Sequence, residues 1–388
     1  MTLDSTMRTT GQTARAQVLE AYRVWGVPPP EEHALAQALA HHPFHAPARL
    51  IRLIEPGRLD DPIAVQCIPR VSGARAPIPA EGQTPDPIGD LACRPVPGLV
   101  KKHPNRAVLL VTRACFMHCR FCFRQGEVDP TCDPGNDLEA LEPALNHIAH
   151  DVGLHEVILS GGDPLTLTDD RLERLLKRLR THAHVRLLRI HTRVVTARPA
   201  RVTPRLVRLL RRHRPLVVVL HTNHPRELDA EACSAIQRLQ DAGLPLLNQS
   251  VLLRGVNDSS DTLAALSWDL LAAGVTPYYL HQCDPVPGTE LFRVELARGL
   301  RIVRELATRV PGHGLPRYVV DLPGGRGKVP VAEARPAGPG QWMFRTAGGA
   351  TVLYPEVAPR DSAGSGERPD RRLEPQAAPG PVSPVGPT

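Results

Sequence analysis

Residues 107–124 read AVLLVTRACFMHCRFCFR, an apolar run that leads directly into three closely spaced cysteines. The run predicts a buried strand, because β-branched and large apolar side chains pack well on a pleated surface. Cys115, Cys119 and Cys122 follow it with Cys-x3-Cys-x2-Cys spacing. Three such thiolates can hold a [4Fe–4S] cluster and leave its fourth iron without a protein ligand. A structural zinc site, the alternative, would need a fourth ligand such as His118.

The same strand pattern recurs five more times downstream, each time after an amphipathic segment. Thr168 and Thr203 are predicted helix N-caps, and Gly243 and Gly274 are predicted to end later helices. Six strand–helix units with nearly all-apolar strands predict a parallel sheet covered by helices, and their length favours a partial (β/α)6 barrel. A flat, doubly wound sheet is the alternative. The predicted strands are residues 107–113, 156–162, 186–193, 216–222, 245–253 and 277–282.

The chain divides into four predicted segments. An α-rich, proline-punctuated extension precedes the α/β barrel, and a further segment that packs on the barrel follows it. The last segment is rich in proline and glycine and has almost no apolar content, so we expect it to be a disordered tail. The predicted bounds are 1–100, 101–310, 311–355 and 356–388.

The composition describes a globular, arginine-rich chain. Of its 388 residues, 42% are hydrophobic and 22% are charged, which excludes general disorder. The formal net charge of +7 comes mostly from arginine, so it is a weak indication of a nucleic-acid partner, and we expect none. A lysine is informative in such a chain, because lysine can lose its proton and form an imine and arginine cannot. The four lysines are Lys101, Lys102, Lys177 and Lys328.

No membrane or export signal is recognisable. The N-terminus lacks the apolar core of a secretory signal, and no window approaches 18 consecutive apolar residues. We therefore expect a cytoplasmic protein without membrane contact. In that compartment the clustered cysteines favour metal binding over disulfides.

Two further motifs carry chemistry. In LSGGDPL, Gly161 and Gly162 remove side chains so that the backbone can approach a ligand, and Asp163 offers a carboxylate. In GGRGKVP, Lys328 follows a glycine run that frees space around its amine. Such a lysine can bind an aldehyde cofactor.

Together these motifs resemble the radical S-adenosylmethionine superfamily and, over about residues 60–350, the lysine 2,3-aminomutase family. The cysteine motif, with Phe121 before its last cysteine, resembles the cluster loop of the superfamily. HTNHP, NQSVLLRGVND, YYLHQCD and VVDLPGGRGKVPV resemble the family. The resemblance implies three cofactors: a [4Fe–4S] cluster, S-adenosylmethionine at its open iron, and pyridoxal 5'-phosphate bound as an imine to Lys328.

The resemblance also implies roles for individual residues. Lys102 and Arg106 in VKKHPNR match the cradle of the cofactor phosphate. Arg124 matches the arginine that holds the substrate α-carboxylate, and Asp284 and Asp321 match the acids that hold its distal amino group. The residues implied at S-adenosylmethionine are Gly161, Gly162, Asp163, Asn248, Gln249 and Ser250.

The implied reaction moves the α-amino group of L-lysine to its β-carbon and gives L-β-lysine. Three alternatives stay open: free arginine as the substrate, a protein-bound lysine as in elongation factor P, and a non-catalytic iron–sulfur redox sensor. We expect a one-electron reductant such as flavodoxin or ferredoxin. Clostridial-type members bind zinc at a subunit interface, but here Ser259 replaces one of the ligands and no cysteine follows Cys283. A homo-oligomer therefore stays an open prediction.

Overall fold

The computed structural model describes residues 11–69, 84–128 and 139–356, so the predicted tail beyond Glu356 lies outside the described residues. The α-helices are α1 (Gly11–Trp25), α2 (Glu32–His41), α3 (Ala48–Arg52), α4 (Pro62–Cys67), α5 (Glu142–His150), α6 (Asp169–Arg180), α7 (Val194–Ala197), α8 (Pro204–Arg212), α9 (Ala230–Asp241), α10 (Ser260–Ala272) and α11 (Leu296–Leu306). The strands are β1 (Leu99–His103), β2 (Arg106–Thr112), β3 (Glu156–Gly161), β4 (Leu187–Thr192), β5 (Leu216–His221), β6 (Leu246–Leu252), β7 (Thr276–Gln282), β8 (Arg317–Leu322), β9 (Gly327–Pro330), β10 (Arg335–Gly338), β11 (Gln341–Arg345) and β12 (Thr351–Pro355).

A barrel-like sheet of nine strands forms the centre of the fold. Strands β2 to β8 pair in parallel and in chain order, and β1 and β9 add antiparallel at the two edges. Strands β2 to β7 are the six predicted strands, each end within one residue of its prediction. The strand order has no reversal, which excludes the doubly wound alternative. The predicted α/β barrel is confirmed, and β8 extends it by a seventh parallel strand.

The predicted helix boundaries are also confirmed. The side chain of Thr168 accepts a hydrogen bond from the backbone N–H of Arg171 at the start of α6, and Thr203 caps α8 in the same way. Gly243 and Gly274 follow α9 and α10 with a φ of 68° each, which costs glycine no steric energy. The helices therefore begin and end at positions that allow their leucine-rich faces to pack against the sheet. Within the described ranges, none of them is long and apolar enough to cross a membrane.

The N-terminal extension contributes α1 to α4 and packs against the cysteine loop. Its apolar core includes Met117 from that loop. The backbone N–H of His118 donates to the carbonyl of His45 at 2.8 Å, and that of Arg120 donates to Gln66 at 3.0 Å. Because these bonds hold the loop from outside the sheet, the extension helps to fix the conformation of the three cysteines.

The last described part of the chain continues the barrel. Strands β8 and β9 form an antiparallel pair in which Asp321 lies opposite Lys328. Strands β10 to β12 form a separate sheet, whose Phe344 and Tyr354 are buried in the same apolar cluster as Leu322 of β8. The segment with the predicted cofactor lysine is thus anchored on both sides.

The end of β3 lies very close to the start of the cysteine loop. Gly161 has a φ of 120°, and a Cβ there would come within 2.3 Å of the Thr112 carbonyl oxygen. A Cβ on Gly162 would come within 2.0 Å of the Ala114 carbonyl oxygen. The N–H groups of Gly162 and Asp163 donate to those two carbonyls at 2.7 and 2.8 Å. The glycine pair is therefore required by backbone packing.

This packing predicts that G162A destabilises the fold. Its Cβ would meet backbone atoms that cannot rotate away, so we expect the free energy of unfolding to fall by about 1–3 kcal/mol. Urea unfolding of the cofactor-free chain, followed by circular dichroism, measures this loss. G312A is the matched control, since a Cβ on that exposed glycine meets nothing within 4 Å. Equal stability of the two variants would contradict the prediction.

Candidate active site

A cavity of about 670 Å³ occupies the interior of the barrel, a volume typical of small-molecule sites. Nearly all predicted site residues line it. The cysteine loop, which is the predicted cluster loop, and Lys328 therefore line the same cavity as Asp284 and Asp321, which we call the acid pair. Its lining includes Lys102, Arg106, Cys115, Cys119, Cys122, Arg124, Gly161, Gly162, Asp163, Gln249, Asp284, Asp321 and Lys328.

Two residues predicted at S-adenosylmethionine, Asn248 and Ser250, are not part of this lining. Successive side chains of a strand point to opposite faces, so Gln249 of β6 faces the cavity and its two neighbours do not. Asn248 and Ser250 donate to the carbonyl of Thr222 at 3.1 and 2.6 Å. The structure therefore uses these two side chains to join the ends of β5 and β6.

The three predicted cluster ligands lie on the loop after β2 and are partly exposed. Burial raises the pKa of Cys122 to about 12 and raises that of Cys115 well above its ordinary value. Burial also raises the pKa of Cys119, although Arg193 opposes the rise. The thiols are thus protonated in the ligand-free protein, and a metal must displace those protons to bind.

The donor set fits a cluster better than a single metal ion. In the described ranges, no three side chains of histidine, cysteine, aspartate or glutamate are grouped so as to hold one ion. In a [4Fe–4S] cluster each cysteine binds a different iron, so the sulfurs need not converge on one point. His118, the candidate zinc ligand, has its Nδ1 atom 2.8 Å from the carbonyl oxygen of Pro43 and its Nε2 atom without a partner among the described residues, but it is not grouped with the cysteines around one point.

Asp163 is buried between the ends of β3 and β4. Its carboxylate accepts hydrogen bonds from the backbone N–H of Leu165 at 2.9 Å and of Arg193 at 2.7 Å, and from the Thr192 hydroxyl at 2.8 Å. Burial raises the pKa of Asp163 to about 6 in spite of these bonds. The carboxylate thus holds the two strand ends together beneath the cavity.

Lys328, which also lines the cavity, pairs with one acid of the predicted substrate site. Its Nζ lies 3.1 Å from Oδ1 of Asp321, whose Oδ2 is 3.6 Å from Nδ1 of His281. Burial tends to raise the pKa of Asp321, but the Lys328 ammonium and His281 outweigh it and hold that pKa below its usual range. Burial and the charge of Asp321 raise the pKa of Asp284 to about 8. Near neutral pH the two acids therefore carry one negative charge, matched by Lys328.

Sequence reasoning missed Asp90, a buried acid between two predicted ligand-binding cations. Its carboxylate lies 2.6 Å from Nζ of Lys102 and 2.7 Å from Nη2 of Arg124. Burial raises the pKa of Asp90, but the two cations outweigh this effect and lower it. Asp90 belongs to a loop before β1, and no spacing in the sequence links it to either cation. Its role in orienting both side chains is visible only in the fold.

His191, His221 and His281 are among the histidines that line the cavity. Burial lowers the pKa of His191, His221 and His281, the first two well below the ordinary value. These side chains are therefore neutral near neutral pH. His224 of the HTNHP motif instead caps a short 3-10 turn by accepting the N–H of Arg226.

Comparison with known proteins agrees with this geometry. The model of the Radical SAM superfamily matches residues 109–266. L-lysine 2,3-aminomutase of Clostridium subterminale is 38% identical over 301 residues, which cover 78% of this chain and 71% of that protein. The enzyme of the same name from Acetoanaerobium sticklandii is 38% identical over 303 residues, 78% and 72% of the two chains. That from Escherichia coli is 38% identical over 304 residues, 78% and 87% of the two chains.

These relationships have direct chemical consequences. Membership implies a [4Fe–4S] cluster, S-adenosylmethionine and pyridoxal 5'-phosphate as cofactors. The cavity supplies the residue types that such cofactors require, namely three thiols, a lysine paired with an acid, and several arginines. On its sequence and its site, the chain is an isomerase that belongs to the lysine 2,3-aminomutase family of radical S-adenosylmethionine enzymes.

Proposed function

We propose that this enzyme moves the α-amino group of free L-lysine to its β-carbon in a reaction that depends on pyridoxal 5'-phosphate. The observation that carries the proposal is that Asp284 and Asp321 share one cavity with Lys328 and Arg124. Lysine needs a cation for its carboxylate and an anion for its distal ammonium. This cavity offers both groups together with the predicted cofactor lysine.

We assign each cofactor to a group of residues in the cavity lining. When bound, the cluster and S-adenosylmethionine supply one-electron chemistry at the substrate carbon, and pyridoxal 5'-phosphate supplies an aldehyde and a conjugated ring that spreads an unpaired electron. Gly161 and Gly162 offer backbone rather than side chains to the bound nucleoside. The residues assigned to the cluster are Cys115, Cys119 and Cys122; those assigned to pyridoxal 5'-phosphate are Lys328, Lys102 and Arg106; those assigned to S-adenosylmethionine are Gly161, Gly162, Asp163 and Gln249.

Cofactor and substrate binding change which cation lies beside the acid pair. Asp321 holds the Lys328 ammonium in the cavity while no cofactor is present. Once the Lys328 amine is uncharged, the acid pair has lost its cation. The distal ammonium of lysine can replace that charge and lower the pKa of Asp284, which burial and Asp321 raise.

Arg124 orients the other end of the substrate. Its Nε and Nη2 groups donate to Asp90 at 3.1 and 2.7 Å, which fixes the plane of the guanidinium. A fixed, planar donor suits a carboxylate, because the two groups can form parallel charge-assisted hydrogen bonds. Holding the substrate at both ends places its α- and β-carbons between them, where the bond rearrangement takes place.

We also propose a cytoplasmic setting with flavodoxin or ferredoxin as the electron donor. The proposed chemistry needs a one-electron reductant for the cluster, and both proteins are of that class. A small redox partner can meet the protein in a transient encounter without a large interface.

A substrate panel tests the proposal directly. The anaerobically reconstituted enzyme is incubated with L-lysine, L-arginine or elongation factor P, and β-amino products are measured by mass spectrometry. We expect product from free L-lysine. Product from arginine alone, or from the protein alone, would contradict the lysine proposal in favour of that substrate. No product from any of the three would favour the redox-sensor alternative.

Lys328 is predicted to be required for cofactor attachment. In K328A we expect the absorbance band of protein-bound pyridoxal 5'-phosphate to disappear, because no amine remains beside Asp321. Borohydride reduction followed by peptide mapping should label Lys328 in the wild type. K177A is the control, since Lys177 is an exposed lysine on α6. Persistent labelling of K328A would show that another lysine carries the cofactor.

The raised pKa of Asp284 predicts that lysine binding releases a proton. The pKa of about 8 includes the lowering effect of the Lys328 ammonium, which the pyridoxal-loaded enzyme lacks until the distal ammonium of lysine replaces it. The affinity for L-lysine should therefore rise with pH above about 8, by at most about tenfold per pH unit. Calorimetry of the pyridoxal-loaded enzyme in buffers of different ionisation enthalpy counts the protons.

L-norleucine, which lacks the distal amine, is the control ligand for this measurement. Protons released at the α-amino group are common to both amino acids, so the difference between them reports on Asp284. D284N should abolish that difference. An equal release with lysine and norleucine in the wild type would show that Asp284 does not give up a proton to the distal amine.

A further inference from the structure

Arg193 is a buried cation that the proposed reaction does not use. It lies between β4 and α7, and 7% of its surface is exposed. Its Nη2 atom donates to the side-chain oxygens of Gln66 at 2.7 Å and Glu227 at 3.1 Å. Its Nε and Nη1 atoms are buried and have no hydrogen-bond partner among the described residues. Buried N–H groups are rarely left unpaired, so these two are available to a group that the polypeptide does not supply.

The guanidinium lies against the cluster loop. Its central carbon is 5.4 Å from the centroid of the Phe121 ring, and Phe121 belongs to the cysteine motif. Burial raises the pKa of the Cys119 thiol, and the positive charge of Arg193 opposes this rise. A permanent positive charge therefore adjoins one of the three proposed cluster ligands.

We propose that Arg193 sets the reduction potential of the iron–sulfur cluster, and that Glu227 moderates its effect. The inference rests on the assignment of the cluster to the three cysteines and goes beyond the amino-acid reaction. Reduction adds one electron to the cluster. A nearby cation stabilises that added charge strongly where the surroundings are poorly polarisable, and N–H groups directed at the sulfurs act in the same direction.

Glu227 has the opposite effect, because its negative charge offsets part of the Arg193 field. It is 1% exposed and is fixed by the backbone N–H groups of Asn223 and His224, both at 3.1 Å. Gln66, which belongs to α4, holds the same guanidinium nitrogen. The docked N-terminal extension therefore takes part in positioning the charge.

Arg201 serves as a structural arginine with which the contacts of Arg193 can be compared. Its Nε and Nη2 atoms donate to the carbonyls of Leu165 and Leu167 at 2.9 and 2.8 Å. Its Nη1 atom lies 2.7 Å from a carboxylate oxygen of Asp169. All three nitrogens of Arg201 are thus engaged by the protein, whereas Arg193 has two that are not. Arg201 is therefore the matched control.

An anaerobic redox titration of the reconstituted cluster, followed by electron paramagnetic resonance, tests the inference. We expect the midpoint potential of R193M to shift to more negative values, because the cation that stabilises the reduced cluster is gone. R193K, which keeps the charge and loses the planar donors, should shift less. E227Q should shift in the positive direction, because it removes the opposing anion. R201M should leave the potential unchanged.

The opposite signs of the two shifts separate tuning from a structural role. If R193M and E227Q have the wild-type potential at full iron content, or move it in the same direction, the inference fails. If R193M does not assemble a cluster, R193K takes its place. A more negative potential for R193K and a more positive one for E227Q then supports the inference, and wild-type potentials or shifts in the same direction overturn it. The titration uses neither amino acid nor pyridoxal 5'-phosphate, so its outcome is independent of whether lysine proves to be the substrate.

Discussion

The site depends on the close contact between the backbone of Gly161–Gly162 and the carbonyl groups of Thr112 and Ala114. This contact places the end of β3 directly under the cysteine loop, and a single Cβ would push the two apart. Asp163 extends the contact to β4, because its carboxylate holds the N–H of Arg193. Two glycines thus determine the relative positions of the cluster loop, the cavity floor and the buried arginine beside it.

Ion pairs between lining residues hold the charged side chains in the rest of the cavity. Asp90 joins Lys102 to Arg124, and Asp321 holds Lys328, so most of the cavity's charged groups are paired before any ligand arrives. Such pairing lowers the cost of keeping charges away from water. Because these ion pairs already exist, a charged ligand binds by replacing one member of a pair. The proton on Asp284 belongs to the same charge balance, since two adjacent carboxylates cannot both ionise cheaply.

Local patterns in the sequence were sufficient to predict the six central strands, the caps at Thr168 and Thr203, and the residues that line the cavity near the cluster. Along β6, Asn248 and Ser250 share the alternation of the buried Leu246 rather than that of Gln249, which is why only Gln249 of the three lines the cavity. The partners of Asp90 and Arg193 could not be predicted. Each lies far away along the chain, and only the folded barrel brings them together.

We propose that one cavity joins radical chemistry to transfer of an amino group within a single lysine molecule. Nuclear magnetic resonance of the product formed from L-lysine labelled with ¹⁵N at the α-amino group and ¹³C at the β-carbon tests this claim most directly. We expect a product in which the labelled nitrogen is bonded to the labelled carbon. Nitrogen that stays on the α-carbon, or that appears as free ammonia, would contradict it.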